Sequence, residues 1–298
     1  MYDTLLVPTD GSDHALRAAE HARYLAELFD ATVHVVSVVD ETEVTGAYDL
    51  AADDEGAETP PETNAEAAID TVVGLMDGSV DIQREVLRGT PAEAILGYAD
   101  DHGIELLAMG THGRTGVHRY ITGSVTESVV RHARSPVLTV RSVEESRVEG
   151  SYDEVLLPTD GSSEAGGAVE HGLAIAKQAD ARVHVVNVVD VAGLGASPEY
   201  TMPTSVLENL ESGGESETEA IAERARDAGL EATATVRHGS PARELLEYAT
   251  EFDIDLVAMG TAGRSGIGRF LLGSTTERLI RHADVPVVAV NSHESPSE

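Results

Sequence analysis

The chain has 298 residues, of which 53 are acidic and 20 basic, giving a formal net charge of -33. It contains no cysteine, no tryptophan and a single lysine, Lys177. Nucleic acids and anionic membranes both select basic patches, so this balance argues against either as a partner. Without thiols there is no disulfide framework and no thiolate metal site. An acidic surface almost free of lysine suggests a cytosol adapted to high salt: at ~1 M salt the Debye length is about 3 Å, and the surface barely repels itself. No apolar run approaches the ~18 residues of a membrane span. The first ten residues already read as a core strand, so a soluble, cytoplasmic protein without a signal peptide is expected.

In chain order, Thr4 to Pro8 reads as a short buried strand ending in the turn Thr9-Asp-Gly-Ser12. From Asp13 to Phe29, the positions Leu16, Ala19, Ala22, Arg23, Ala26 and Leu28 carry a roughly helical apolar spacing. Val33 to Val39 is a nearly continuous apolar strand, as in a sheet covered on both faces. Glu41 to Asn64 is acidic and contains Pro and Gly, which predicts a mobile insertion. Ala65 to Met76 then reads as helix and Val80 to Leu87 as an alternating strand. Thr90-Pro-Ala-Glu93 starts a helix through Tyr98, with Thr as N-cap and Pro at the first helical position. Ile104 to Met109 is the fourth strand, Ser124 to His132 the last helix and Pro136 to Val140 the fifth strand. Alternating strands and helices predict an α/β fold, a five-stranded parallel sheet with right-handed crossovers. Ligands bind such sheets at the strand carboxyl ends, where the strand order reverses.

All of this happens twice. Tyr2-Asp-Thr-Leu-Leu-Val-Pro-Thr-Asp-Gly-Ser12 returns as Tyr152-Asp-Glu-Val-Leu-Leu-Pro-Thr-Asp-Gly-Ser162, and Val33 to Asp40 returns as Val183 to Asp190. The repeat predicts domains at 1–141 and 152–290, joined by a linker at 142–151 and followed by a loose tail at 291–298. The most informative repeated segment has the form G-x2-G-x9-G-S: Gly110, Gly113, Gly123 and Ser124, then Gly260, Gly263, Gly273 and Ser274. An apolar strand precedes each copy and a helix follows. Glycine lets backbone N–H groups approach an anion, and the unbonded N–H groups of a helix start add partial positive charge. That is phosphate-cradle chemistry. Arg114, Arg119, Arg264 and Arg269 recur in these loops and are expected to contact phosphate.

These residues resemble the universal stress protein family in its nucleotide-binding branch. The resemblance rests on P-T-D-G-S, on the strand ending V-V-D and on the glycine loop, in that order in both halves. It implies two Rossmann-like (adenine nucleotide alpha hydrolase-like) domains with helices on both sheet faces. It also implies an ATP site in each, with any Mg²⁺ carried through the phosphates. Pro8, Thr9 and Asp10 match the ribose-contacting turn, Val38 the adenine-contacting backbone, and Met109, Gly110, Gly113, Arg114, Gly123, Ser124 and Val125 the ribose and phosphate cradle. In the second half the matches are Pro158, Thr159, Asp160, Val188, Met259, Gly260, Gly263, Arg264, Gly273, Ser274 and Thr275. The family further suggests domain pairing through the fifth strands, with a homo-oligomer open as an extension of it.

Each feature also has a plainer reading. Asp10 fixes a turn or caps a helix. Ser124 with Glu127, and Ser274 with Glu277, match the capping-box pattern. The histidines are scattered without ligand spacing, and His112 faces Ala262 across the repeat, so no essential catalytic role is expected of it. No Walker lysine follows the glycines, so any ATP hydrolysis should be slow. A stress-response regulator that binds ATP in each domain is therefore the leading expectation. An adenylate-transferring or slow ATP-hydrolysing enzyme of the same α/β group, and a ligand-free dimerisation module, are the alternatives.

Overall fold

A computed structural model of the chain describes residues 1–40, 61–76, 78, 80–112, 123–144, 146, 148, 150–190, 204–263 and 272–291. It divides into two compact units, Met1–Val148 and Glu149–Glu298. In the first unit β1 (Thr4–Pro8) leads to α1 (Asp13–Phe29), β2 (Thr32–Val39), α2 (Pro61–Leu75), β3 (Ile82–Arg88), α3 (Pro91–Asp101), β4 (Leu106–Gly110), α4 (Ser124–His132) and β5 (Val137–Val140). The second unit repeats the order with β6 (Glu154–Pro158), α5 (Ser163–Ala179), β7 (Arg182–Val189), α6 (Thr204–Asp227), β8 (Ala232–His238), α7 (Pro241–Glu251), β9 (Leu256–Gly260), α8 (Ser274–His282) and β10 (Val287–Val290).

Each unit carries five parallel strands, ordered β3-β2-β1-β4-β5 in the first and β8-β7-β6-β9-β10 in the second. In the first unit α1 packs on β1, β4 and β5 and touches α2, while α3 and α4 pack together on the other face. The central strands are therefore covered on both sides. That is why they are apolar at successive positions: Leu5, Leu6, Val7, Val35, Val36, Leu106 and Leu107 are all fully buried. The strand order reverses between β1 and β4, and between β6 and β9. Chains leaving those two strands diverge and open a crevice at their carboxyl ends.

Three expectations need correction. Helix α2 begins at Pro61, so residues 61–64, expected to end a mobile insertion, form its first turn, with Pro at a position whose N–H needs no partner. The remainder of that insertion, 41–60, lies outside the described residues, as does 292–298 of the expected tail. The expected linker is partly part of the first unit. Ser146 is buried, its carbonyl accepts a 2.7 Å bond from His21 Nε2 on α1, and its hydroxyl donates to the Val143 carbonyl at 2.9 Å. Finally, no capping box forms at α4 or α8. The N-caps are Gly123 and Gly273, neither of which has a side chain, and Ser124 and Ser274 are the first helical residues.

Candidate nucleotide site

Strand β1 ends at Pro8 because proline cannot extend the ladder, and the next residues turn toward α1. Gly11 takes φ 76° and Gly161 takes φ 75°, a left-handed conformation that favours glycine. Within the turn, Thr9 Oγ1 accepts from the Gly11 N–H at 3.1 Å, and Asp10 Oδ1 accepts from the Ser12 N–H at 3.0 Å. The second unit repeats both bonds at the same lengths, through Thr159 and Asp160. Ser12 and Ser162 then cap α1 and α5 through their hydroxyls. The turn-fixing role weighed for Asp10 is thus real. It uses Oδ1, on the first of two carboxylate oxygens.

The neighbouring strands supply the remainder. The Thr9 N–H bonds the Val36 carbonyl, so on β2 Val36 faces β1. Val38, two residues on, directs its backbone N–H and C=O to the same side, past the end of β1. Val188 stands in the same relation to β6, because the Thr159 N–H bonds Val186. Strand β4 ends at Gly110, which Met109 precedes as a core residue. A Cβ at Gly110 would lie 2.5 Å from the His14 carbonyl carbon, so glycine here lets the first turn of α1 lie against the strand end.

The base of the glycine loop is closed identically in both units. The Gly123 N–H bonds the Thr111 carbonyl at 2.6 Å, and Gly273 bonds Thr261 at 2.7 Å. Thr126 and Thr276, in the first turns of α4 and α8, donate to the carbonyls of Gly110 and Gly260 at 2.7 and 2.8 Å. These four threonines were not among the sequence-predicted residues, although their exact recurrence in both halves marks them. Ser124 and Ser274 are exposed at the helix starts, with Val125 and Thr275 half-buried beside them. Glu127 and Glu277, rather than completing a capping box, pair with Arg131 and Arg281.

In the second unit the two halves of the crevice meet. A Cβ at Gly263 would lie 2.6 Å from Asp160 Oδ2, so the glycine loop after β9 runs directly past the carboxylate after β6. Gly113, Arg114 and Arg264 lie outside the described residues, as do Arg119 and Arg269. The first unit differs by a histidine pair: the rings of His14 and His112 are 5.0 Å apart, where the second unit has Glu164 and Ala262. His14 Nδ1 accepts from the Ser142 N–H at 3.0 Å, which puts the proton of its neutral form on Nε2. Burial, then the nearby His112 and Arg141, hold its pKa below the ordinary value. Among the described residues, no group of three or more His, Asp or Glu side chains is placed to hold a metal ion. Nor is any described helix long and apolar enough to cross a membrane.

Two Rossmann-like α/β units, each with an acidic turn and a glycine loop at its switch point, define the class of protein. The sequence profile of the Universal stress protein family matches residues 1–141 and 151–291. A universal stress protein of Methanocaldococcus jannaschii is 35% identical over 142 residues, which is 48% of this chain and 84% of that relative. Among solved structures, a universal stress protein from Archaeoglobus fulgidus DSM 4304 aligns over 98% of this chain and 99% of its own, with a TM-score of 0.71 and 21% identity. A structure from Pseudomonas aeruginosa UCBPP-PA14, assigned to the same family, aligns over 97% of this chain and 93% of its own, with a TM-score of 0.65 and 16% identity. The chain belongs to the universal stress protein family, in tandem two-domain form.

Proposed function

We propose that each unit binds ATP and that the chain acts as a nucleotide-dependent stress-response regulator rather than an efficient enzyme. The observation that carries this reading is the meeting of Asp160 with Gly263: a ribose-type acceptor and a phosphate-type glycine loop share one crevice. In this reading Asp10 and Asp160 accept from ribose hydroxyls, and the backbone of Val38 and Val188 reads the adenine edge. The phosphates lie over Gly123, Ser124 and Val125, or Gly273, Ser274 and Thr275. There the first N–H groups of α4 and α8 have no side-chain cap and face the anion. Any Mg²⁺ comes with the phosphates.

Chemistry is expected to be slow. Efficient phosphoryl transfer needs a metal, a positioned nucleophile and charge stabilisation at the transferred group. No acid or base of the glycine loop recurs in both halves, since His112 is replaced by Ala262. The test is calorimetric titration of the full chain with ATP in molar KCl. Saturable binding with up to two sites per chain is expected, without ATP turnover on the timescale of the titration. Absence of binding would refute the nucleotide reading, and rapid hydrolysis or pyrophosphate release would refute the regulatory one.

A further inference from the structure

The two units also differ at a position behind the acidic turn. On β7, Asn187 is buried, and its Nδ2 donates to the Thr159 carbonyl at 2.8 Å. That carbonyl belongs to the peptide joining Thr159 to Asp160, so the amide grips the peptide that carries the proposed ribose acceptor. The other face of the Asn187 side chain lies against α6. A Cβ on Gly214 would sit 2.6 Å from Asn187 Oδ1 and 3.0 Å from its Cγ. Gly214 is inside a 24-residue helix, where glycine is otherwise unfavourable relative to alanine. Its reason for being glycine is the room that Asn187 occupies.

The first unit has a different strand residue at the same place. Asn187 corresponds to Ser37, also buried. Only the longer side chain, that of Asn187, reaches the neighbouring turn through a carboxamide.

We propose that Asn187 is a positioning residue of the second nucleotide site, holding the Thr159–Asp160 peptide, and that the Gly214 notch in α6 exists to admit it. The two sites of the chain are therefore not equivalent: the second depends on a β7–α6 pair that the first lacks. This rests on reading the crevice as a nucleotide site, and the test keeps the two apart.

Four full-length proteins are compared in molar KCl: the parent, Asn187→Ser, Gly214→Ala and the double variant. ATP calorimetry fitted to two sites should show the second site weakened about fivefold by Asn187→Ser, the worth of one hydrogen bond, with the first site unchanged. Gly214→Ala should weaken the second site as well, by pushing the amide off Thr159. The double variant should be no weaker than Asn187→Ser alone, because the added methyl then meets a short side chain. Hydrogen exchange at Gly161 and Ser162, whose N–H groups bond Thr159 Oγ1 and Asp160 Oδ1, reads the same hold without ligand and should speed up in both single variants. Unchanged exchange together with an unchanged second site overturns the proposal, as do equal losses at both sites or fully additive losses in the double variant. A parent that binds no ATP, with exchange still faster in Asn187→Ser, would refute the nucleotide reading while leaving the positioning role standing.

Discussion

At the residue scale, the glycines of the repeated loop separate into different jobs. At Gly110 the obstacle to any side chain is backbone, the carbonyl carbon and oxygen of His14. Backbone at a helix start cannot swing aside, so Gly110→Ala should destabilise the first unit by ~1–3 kcal/mol, the usual range for overpacking. Denaturant midpoints in molar KCl would measure this, and an unchanged midpoint would contradict it. At Gly263 the obstacle is a carboxylate, Asp160 Oδ2, which can rotate. Gly263→Ala should therefore leave stability nearly unchanged while weakening ATP at the second site. The acidic turn allows a matching separation. Asp10→Ala removes both the bond to Ser12 and the proposed ribose contact, whereas Asp10→Asn keeps a carbonyl acceptor for Ser12. Loss of ATP affinity in the alanine variant, by ~1.5–3 kcal/mol, should exceed its loss of stability. If Asp10→Asn binds as poorly as Asp10→Ala while folding normally, charge is what the ribose site needs. If neither variant changes affinity, Asp10 serves the turn alone. The glycine loop and the P-T-D-G-S turn were legible in the sequence because glycine and turn residues encode backbone requirements locally. Thr111 and Thr126 were not, because a carbonyl that accepts and a hydroxyl that donates across a loop have no local signature.

At the element scale, strands and helices followed their apolar periodicity to within a few residues. The misreadings arose where a distant partner decides. Ser142 to Ser146 is polar and charged, so composition marks it as linker, yet His21 on α1 holds the Ser146 carbonyl from 125 residues away. The same contact makes a pH prediction. Burial drives the His21 pKa down from 6.5 to about 4, against a smaller upward pull from its bond to Ser146. The unfolded chain takes up a proton below about pH 6.5, while the folded chain resists until about 4. Stability from this group is thus complete above about pH 6.5 and declines as pH falls toward 4, by up to about 3 kcal/mol. His21→Gln keeps a side-chain donor but does not titrate. Its stability difference from the parent should therefore change across pH 4–6.5 and be flat above it. A constant difference over the whole range would show that His21 does not titrate differently on folding. The failed capping box has a similar lesson: Ser124 and Glu127 have the right spacing, but one residue of register makes Gly123 the cap.

At the scale of the whole molecule, a net charge of -33 on 298 residues opposes compaction wherever salt does not screen it. Most described ion pairs lie at the surface, as Arg84–Asp70 and Arg243–Glu247 do, and exposed pairs contribute little each. The fold should therefore need salt. Circular dichroism during dialysis from molar KCl to dilute buffer is expected to show cooperative loss of helix, and equal stability at both ends would contradict adaptation to salt. Duplication itself was fully visible in the sequence, because two copies at one offset need no physics to align. What distinguishes the copies was not. Asn187 and Gly214 read as two unrelated residues until β7 and α6 are seen to touch.

The bare glycine starts of α4 and α8 have a thermodynamic consequence. A helix with glycine at its cap is short of roughly a few tenths of a kcal/mol that a serine or aspartate there would contribute. If a phosphate supplies the missing acceptor, the cargo is itself the cap, and helix formation and ligand capture become one equilibrium. Occupancy would then be reported as resistance to melting: at a hundredfold excess over its dissociation constant, one bound nucleotide raises stability by ~2.7 kcal/mol. On that reading, the chain would convert the concentration of a metabolite into the rigidity of two nine-residue helices.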